Sequence, residues 1–372
     1  MADASVTIIG AGVVGLAIAA EISRESSSVY LLERNEKYGQ EASSRNSEVV
    51  HAGIYYPLDS LKARLCIEGN RLLDEMCTGA GIPYRRVTKV ITATSPEQVP
   101  DLEDLFRHGR ENGVHLEMLT RARMSQLEPH IVSYGGILSP TTGIISAHAL
   151  MDYFYHLARG RGVQIQTGCE VVGVEKQRDD FLLTVKEGSQ SSNFTTEQVV
   201  NAAGLESDTI ASYAGIDVRA AGYELHYCKG DYFSLPGGMA RLITRLVYPV
   251  PMRESLGVHA VLDLGGRLKF GPDAQYLSGR ARDYRVDESR RHVFAEAVRR
   301  ILPSVRDEDL SPDISGIRPK LQAKGEPPQD FVVRNEGDRG LEGLISVVGI
   351  DSPGLTASPA IACYVRELLR HA

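Results

Sequence analysis

The first chemical signal lies near the start of the chain, in Gly10-Ala11-Gly12-Val13-Val14-Gly15. The β-branched, apolar run from Ser5 to Ile9 before it reads as a short buried strand. The run from Leu16 to Ile22 after it is strongly helical, and a second strand, Val29-Tyr30-Leu31-Leu32, ends at Glu33. This strand–GxGxxG–helix–strand–acid order is that of a dinucleotide-binding βαβ unit. Gly10 permits the tight turn, Gly12 lets the backbone approach a pyrophosphate, and Gly15 lets helix and strand pack closely. The unpaired N–H groups at the helix start, around Val13 and Val14, then face the phosphates with the positive end of the dipole. Glu33 stands eighteen positions after Gly15, near the spacing of a carboxylate that holds ribose hydroxyls. A bare GxGxxG is a common glycine-rich turn; here both strands, the helix and the acid are in register with it.

Past Glu33 the pattern stops resembling the repeated βα units of a nicotinamide-binding sheet. Arg34 opens a loop-like stretch, and the polar cluster Ser43-Ser44-Arg45-Asn46-Ser47 follows. Its hydroxyls and amides suit a phosphate and ribitol chain, and they equally suit a solvated loop.

The elements that must carry these residues alternate along the whole chain. Leu61, Leu65, Leu72 and Met76 fall on one face of a helix from Ser60, a plausible N-cap, with Gly69 interrupting its middle. Strand and helix are expected over 87–94 and 97–112, then a loop-rich stretch over 129–140. A helix over 147–161 leads into strands at 163–167, 170–174, 181–186 and 198–204. Residues 223–272 are strand-like, and 287–302 form an amphipathic helix with Phe294, Ala297, Val298, Ile301 and Leu302 on one face. A Pro-rich stretch over 311–328 precedes a strand at 344–348 and a final helix over 356–369. The elements do not segregate into consecutive blocks, so two interleaved domains are expected.

The composition excludes several classes. Among 372 residues, 41 basic against 48 acidic side chains give a net charge of −7, with no basic run suited to nucleic acid. The uncharged, apolar stretch from Ser5 to Ala20 is too short to span a bilayer and has no basic segment before it. Cys66, Cys77, Cys169, Cys228 and Cys363 are scattered, without a CxxC pair, which predicts neither disulfides nor a metal site. A cytoplasmic protein is the expectation.

Taken together, the βαβ unit, Ser43 to Ser47, Asn201-Ala202-Ala203-Gly204 and the segment from Gly349 to Leu355 resemble the FAD-dependent D-amino acid oxidase superfamily. Further blocks resemble its L-2-hydroxyglutarate oxidase/dehydrogenase branch. These are the run from His51 to Pro57, the run from Ser60 to Ala63, and the run from Tyr227 to Tyr232. They continue with Tyr248-Pro249-Val250-Pro251, Gly257-Val258-His259, Phe270-Gly271-Pro272, Gly316-Ile317-Arg318-Pro319-Lys320 and the run from Asp351 to Thr356. The chain departs from the branch at Val261, where threonine is frequent, and it lacks a tryptophan after Gly204, near Glu206. The resemblance implies an α/β fold in which a Rossmann-like FAD-binding domain (1–85, 141–220 and 312–372) is interleaved with an α+β substrate domain (86–140 and 221–311) built on an antiparallel sheet. It also implies Val171 at the adenine, Ala203 and Gly204 at the pyrophosphate, and a helix start at Gly349, Gly354, Leu355 and Thr356 beside the flavin carbonyls. The FAD is expected to be non-covalent, because no cysteine lies in or near the block from Gly316 to Lys320.

The implied reaction is oxidation of a short-chain L-2-hydroxy acid, with a small-molecule substrate and with oxygen or a quinone as electron acceptor. Amine or amino acid oxidation is the alternative. Oxidising a hydroxy acid needs a base for the hydroxyl proton and a cation for the carboxylate. His51 and His259 compete for the first role, each expected to titrate near neutrality, with His259 preferred. Arg318 suits the carboxylate, since its planar fork binds in a bidentate way. Lys229, or else Lys62, is the candidate for a second anionic group, and Tyr56 and Tyr248 could add hydroxyl donors.

Overall fold

The computed structural model describes residues 2–251 and 257–371. Two sheets organise them. In the first, parallel strands run in the order Leu344–Val348, Gln190–Asn201, Ala4–Ile9, Val29–Glu33 and Gln164–Thr167. An antiparallel ribbon, Cys169–Lys176 and Phe181–Glu187, joins the first half of Gln190–Asn201. That half is polar and exposed, so apolar periodicity finds only the strand's buried end. Ile8, Leu31 and Val200 point to one face, where they share a core with Leu16, Phe154 and Ile361 of the helices Val13–Ile22, Ala147–Gly160 and Gly354–Leu369. Ile9, Leu32 and Val199 point to the other, against Leu183 of the ribbon and Ile210 of the helix Ser207–Tyr213. Period-two alternation decides which neighbour goes where.

The helix Leu61–Ala80 is capped as expected, with the Ser60 side chain accepting from Ala63 N at 3.1 Å. Gly69 does not break it. A Cβ there would lie 2.2 Å from the Thr356 carbonyl oxygen, so glycine is what lets this helix lie against Gly354–Leu369.

In the second sheet the order is Gln275–Tyr276, His226–Ser234, Leu268–Gly271, His259–Leu262, Leu246–Pro249, Lys89–Thr92, Gly136–Ser139 and Glu117–Leu119. Every pair is antiparallel except Leu246–Pro249 with Lys89–Thr92. Its core holds Val90, Phe233, Tyr248 and Phe270, closed by Phe294 of the helix Arg291–Arg299. The architecture is the mixed α/β arrangement expected, with an antiparallel sheet inserted between segments of a Rossmann-like one.

The Pro-rich stretch 311–328 is not all loop. Ser311–Lys320 is a strand paired only with His226–Ser234, and an edge position tolerates Pro312 and Pro319, which have no N–H to donate. Residue 312, where the sequence places the third stretch of the FAD domain, therefore lies inside a strand of the second sheet.

Candidate active site

The βαβ turn opens a cavity of about 150 Å³ lined by Gly10, Gly12, Glu33, Arg34, Ser43, Val171, Ala203 and Gly204 among others. These eight expected cofactor residues come together from five separate stretches. Gly10 has φ +101°, and a Cβ on it would lie 2.5 Å from the Ala202 oxygen. A Cβ on Gly15 would lie 1.9 Å from the Gly10 oxygen, so Gly15 acts by packing, outside the cavity. Gly12 precedes the helix and carries no side-chain cap; instead the Ser43 hydroxyl accepts from Val13 N at 2.9 Å. Val13 and Val14 pack into the helix–sheet core.

Glu33 is buried. One oxygen accepts from Ala11 N at 2.9 Å, and the other from the Asn35 backbone and side chain at 2.9 and 2.7 Å. The carboxylate thus braces the glycine turn at the edge of the cavity that Glu33 helps to line. Arg34 sits at the rim, 2.5 Å from Glu41 and 3.6 Å from Glu206, and Arg282 bridges the same two acids. Within the polar cluster the roles divide. Ser44 and Asn46 hold the turn through the carbonyls of Glu41, Ala42 and Ser43. Arg45 lies 4.1 Å over the Tyr284 ring, with its Nε buried and unpartnered. Ser47 reaches the Tyr232 hydroxyl on the second sheet.

A second cluster forms where the two sheets meet. His51 N donates to the Thr356 hydroxyl at 3.0 Å, and His51 Nε2 lies 3.4 Å from the Ser352 hydroxyl, which also meets Tyr56. The helix start that contains Gly354, Leu355 and Thr356 is thereby tied to His51. Gly349 has φ +70°, and Leu321 packs where its Cβ would be. His259 stacks on Tyr248, and Nδ1 of each histidine is buried without a partner among the described residues. Burial, aided by the nearby Lys89 charge, pushes His51 down to about 3 and His259 well below its ordinary value. Both imidazoles are therefore neutral at physiological pH rather than poised near it, because the apolar surroundings disfavour the charged ring. Burial pushes the Tyr55, Tyr56 and Tyr248 hydroxyls up, so all three are donors.

Arg318 faces this cluster and bears on His259 and Tyr232. Its guanidinium donates to the Asp273 carbonyl at 2.6 Å and to the Cys228 and Lys229 carbonyls at 3.3 Å, and no carboxylate pairs with it among the described residues. Lys229 is directed elsewhere. Cys228 lies opposite Arg318 in the strand pair, so Lys229 is on the other face, 3.6 Å from Asp231 and bonded to the Arg285 carbonyl. Lys62 is also spoken for: it and Lys320 hold Asp351 at 2.9 and 3.0 Å.

One residue escaped the sequence reading. Lys89 is fully buried, its Nζ has no hydrogen-bond partner among the described residues, and it lies 4.6 and 4.7 Å from the centroids of the Tyr55 and Tyr248 rings. Burial lowers it to about 7. The available signal was a lone charge in the apolar, β-branched run Lys89–Thr92. Among the described residues no cluster could hold a metal ion, and no helix is long and apolar enough to cross a membrane.

A flat dinucleotide fits these features. The glycine turn leaves a cradle that side chains would fill, the helix start capped at Val13 by Ser43 borders it, and the buried acid Glu33 lines it. The model of the FAD dependent oxidoreductase family matches residues 5–368. The chain is similar to the mitochondrial L-2-hydroxyglutarate dehydrogenase of Arabidopsis thaliana, at 36% identity over 96% of this chain and 82% of that protein. A glycerol 3-phosphate dehydrogenase of Caloramator mitchellensis is 29% identical over 98% of this chain and 74% of its own length. Among solved structures, the dithionite-reduced L-α-glycerophosphate oxidase of Mycoplasma pneumoniae with FAD bound is similar at a TM-score of 0.88 and 25% identity, covering 98% of this chain and 94% of that one. The chain therefore belongs to the FAD dependent oxidoreductase family, and FAD is its cofactor.

Proposed function

We propose that this enzyme oxidises the CH–OH group of L-2-hydroxyglutarate, giving 2-oxoglutarate. The observation that carries the reading is a buried cluster of two neutral histidines with an arginine that, among the described residues, no carboxylate neutralises. An acid substrate supplies the missing charge, and a secondary alcohol supplies a proton for a neutral imidazole to take. The similarity to the Arabidopsis L-2-hydroxyglutarate dehydrogenase supports the same substrate.

Gly10, Gly12, Glu33, Ser43, Val171, Ala203 and Gly204 would hold the ADP half of FAD, held non-covalently, and the helix start at Gly354–Thr356 would face its ring. When bound, FAD supplies a two-electron acceptor for the hydride lost from C2 of the substrate. Arg318 clamps the C1 carboxylate, as its fork-shaped donors allow. His259, held by Tyr248, accepts the hydroxyl proton as C2 becomes a carbonyl. His51, tethered to Thr356 and Ser352, orients the cofactor side of the cluster. The Tyr56 and Tyr248 hydroxyls donate to oxygen atoms of the bound acid. Burial excludes water, which strengthens each of these contacts.

Anaerobic titration tests the reading. L-2-hydroxyglutarate should bleach the flavin absorbance, while amino acids, glycine and glycerol 3-phosphate should leave it yellow. Bleaching by an amino acid but not by the hydroxy acid would establish the amine-oxidising alternative. Re-oxidation of the bleached enzyme by oxygen or by a soluble quinone then identifies the acceptor.

A further inference from the structure

The histidine cluster has more positive charge around it than the reaction at C2 requires. Arg318 and Lys89 enter on strands at opposite flanks of the one that carries His259, and both act electrostatically on that histidine. The other lysines on these elements each meet a carboxylate. Lys62 and Lys320 share Asp351, Lys229 has Asp231, and Lys269 has Asp263 and Asp313. Among the described residues Lys89 has the aromatic faces of Tyr55 and Tyr248 beside it, and it interacts electrostatically with Cys66 and the two histidines. A thiol whose pKa burial raises above the usual range is neutral and does not compensate it. Cation–π contacts steady an ammonium but leave its three N–H donors unused. An ammonium taken out of water in this way is costly unless an anion meets it.

We propose that Lys89 receives the distal carboxylate of a dicarboxylic substrate, at the opposite side of His259 from Arg318. The assignment rests on the function proposed above and deepens it. It makes the enzyme selective for a substrate with two anionic ends, and it takes over the role expected of Lys229. Lys89 then acts in binding and position, while the proton chemistry stays with His259.

The test uses the FAD-loaded enzyme and ligands that cannot be oxidised, glutarate and butanoate, with binding read from the perturbation of the flavin spectrum. Wild type should bind glutarate more tightly than butanoate. In Lys89→Met the dissociation constant for glutarate should rise about 10–100-fold, the scale of one charged hydrogen bond, while that for butanoate stays unchanged. Lys89→Arg, which keeps the charge, should retain much of the preference for glutarate. It serves as the discriminating variant should Lys89→Met lose its cofactor. Equal losses for both ligands, or unchanged glutarate binding with a shifted flavin midpoint potential, would overturn the assignment. An enzyme reduced by L-2-hydroxyglutarate that shows either result keeps the proposed function and loses the Lys89 role. A wild type that is not reduced by that acid, yet selects glutarate through Lys89, loses the function and keeps the dianion site.

Discussion

His259 lies flat on Tyr248, with ring centroids 3.9 Å apart and planes 13° from parallel. The two residues sit on neighbouring antiparallel strands, Leu246–Pro249 and His259–Leu262, and the stack fixes the direction in which the imidazole presents its nitrogen atoms. A base held in this way loses little entropy when it meets a hydroxyl.

Replacing His259 by alanine should slow anaerobic flavin reduction by roughly 10²–10⁴-fold, the usual scale for a general base, with a much smaller effect on substrate binding. Tyr248→Phe keeps the stack and should be far milder than Tyr248→Leu. Stopped-flow reduction at saturating substrate makes the comparison. Fast reduction by His259→Ala would move the base to His51.

Both histidines are pushed down by burial, so their neutral, proton-accepting form persists far into acid. The acidic limb of kcat/KM should therefore fall well below the ordinary histidine range of about 6.5. Lys89 is lowered to about 7 and loses its proton as pH rises through that value, so affinity for a dianion should weaken above neutrality. Lys89→Met should abolish that alkaline limb. A pH profile with a single acidic limb near 6.5 in both proteins would contradict this picture.

Gly15→Val and Gly12→Val should abolish FAD binding for different reasons. At Gly15 the new side chain collides with the Gly10 carbonyl, and at Gly12 it fills the phosphate cradle beside Ser43. Glu33→Ala should weaken FAD less. The ratio of flavin to protein absorbance after purification reports all three. Acid precipitation should leave the yellow colour in the supernatant, as a non-covalent cofactor requires.

Arg318→Ala should cost roughly 3 kcal/mol or more in kcat/KM, from two charged hydrogen bonds at about 1.5–3 kcal/mol each. Arg318→Lys should mainly raise KM.

Lys229→Met should act on stability. It leaves the buried Asp231 without its cationic neighbour, and breaking a buried pair costs about 3–5 kcal/mol. The expected result is a lower Tm with dicarboxylate and monocarboxylate ligands affected alike. A selective loss of dicarboxylate binding would return Lys229 to the substrate.

What the sequence determined by itself is local or periodic. The order of strand, glycine turn, helix and acid is contiguous, so the place of Gly10, Gly12, Gly15 and Glu33 could be read directly. The cap at Ser60 and the apolar face around Phe294 were legible for the same reason. The strand at Ser311–Lys320 was not, because its prolines are compatible with a strand only where one edge is free, and edges are a property of the assembled sheet.

The tertiary structure alone decided which charges cluster together. His51, Lys89, Tyr248, His259 and Arg318 come from five segments, and no spacing along the chain relates them. Register made the finest choice. Because strand side chains alternate with period two, pairing Cys228 with Arg318 sends Lys229 to the far face, where Asp231 holds it. Lys89 remains on the strand beside Tyr248, buried and unpaired, since a parallel pairing across long sequence separation placed it there.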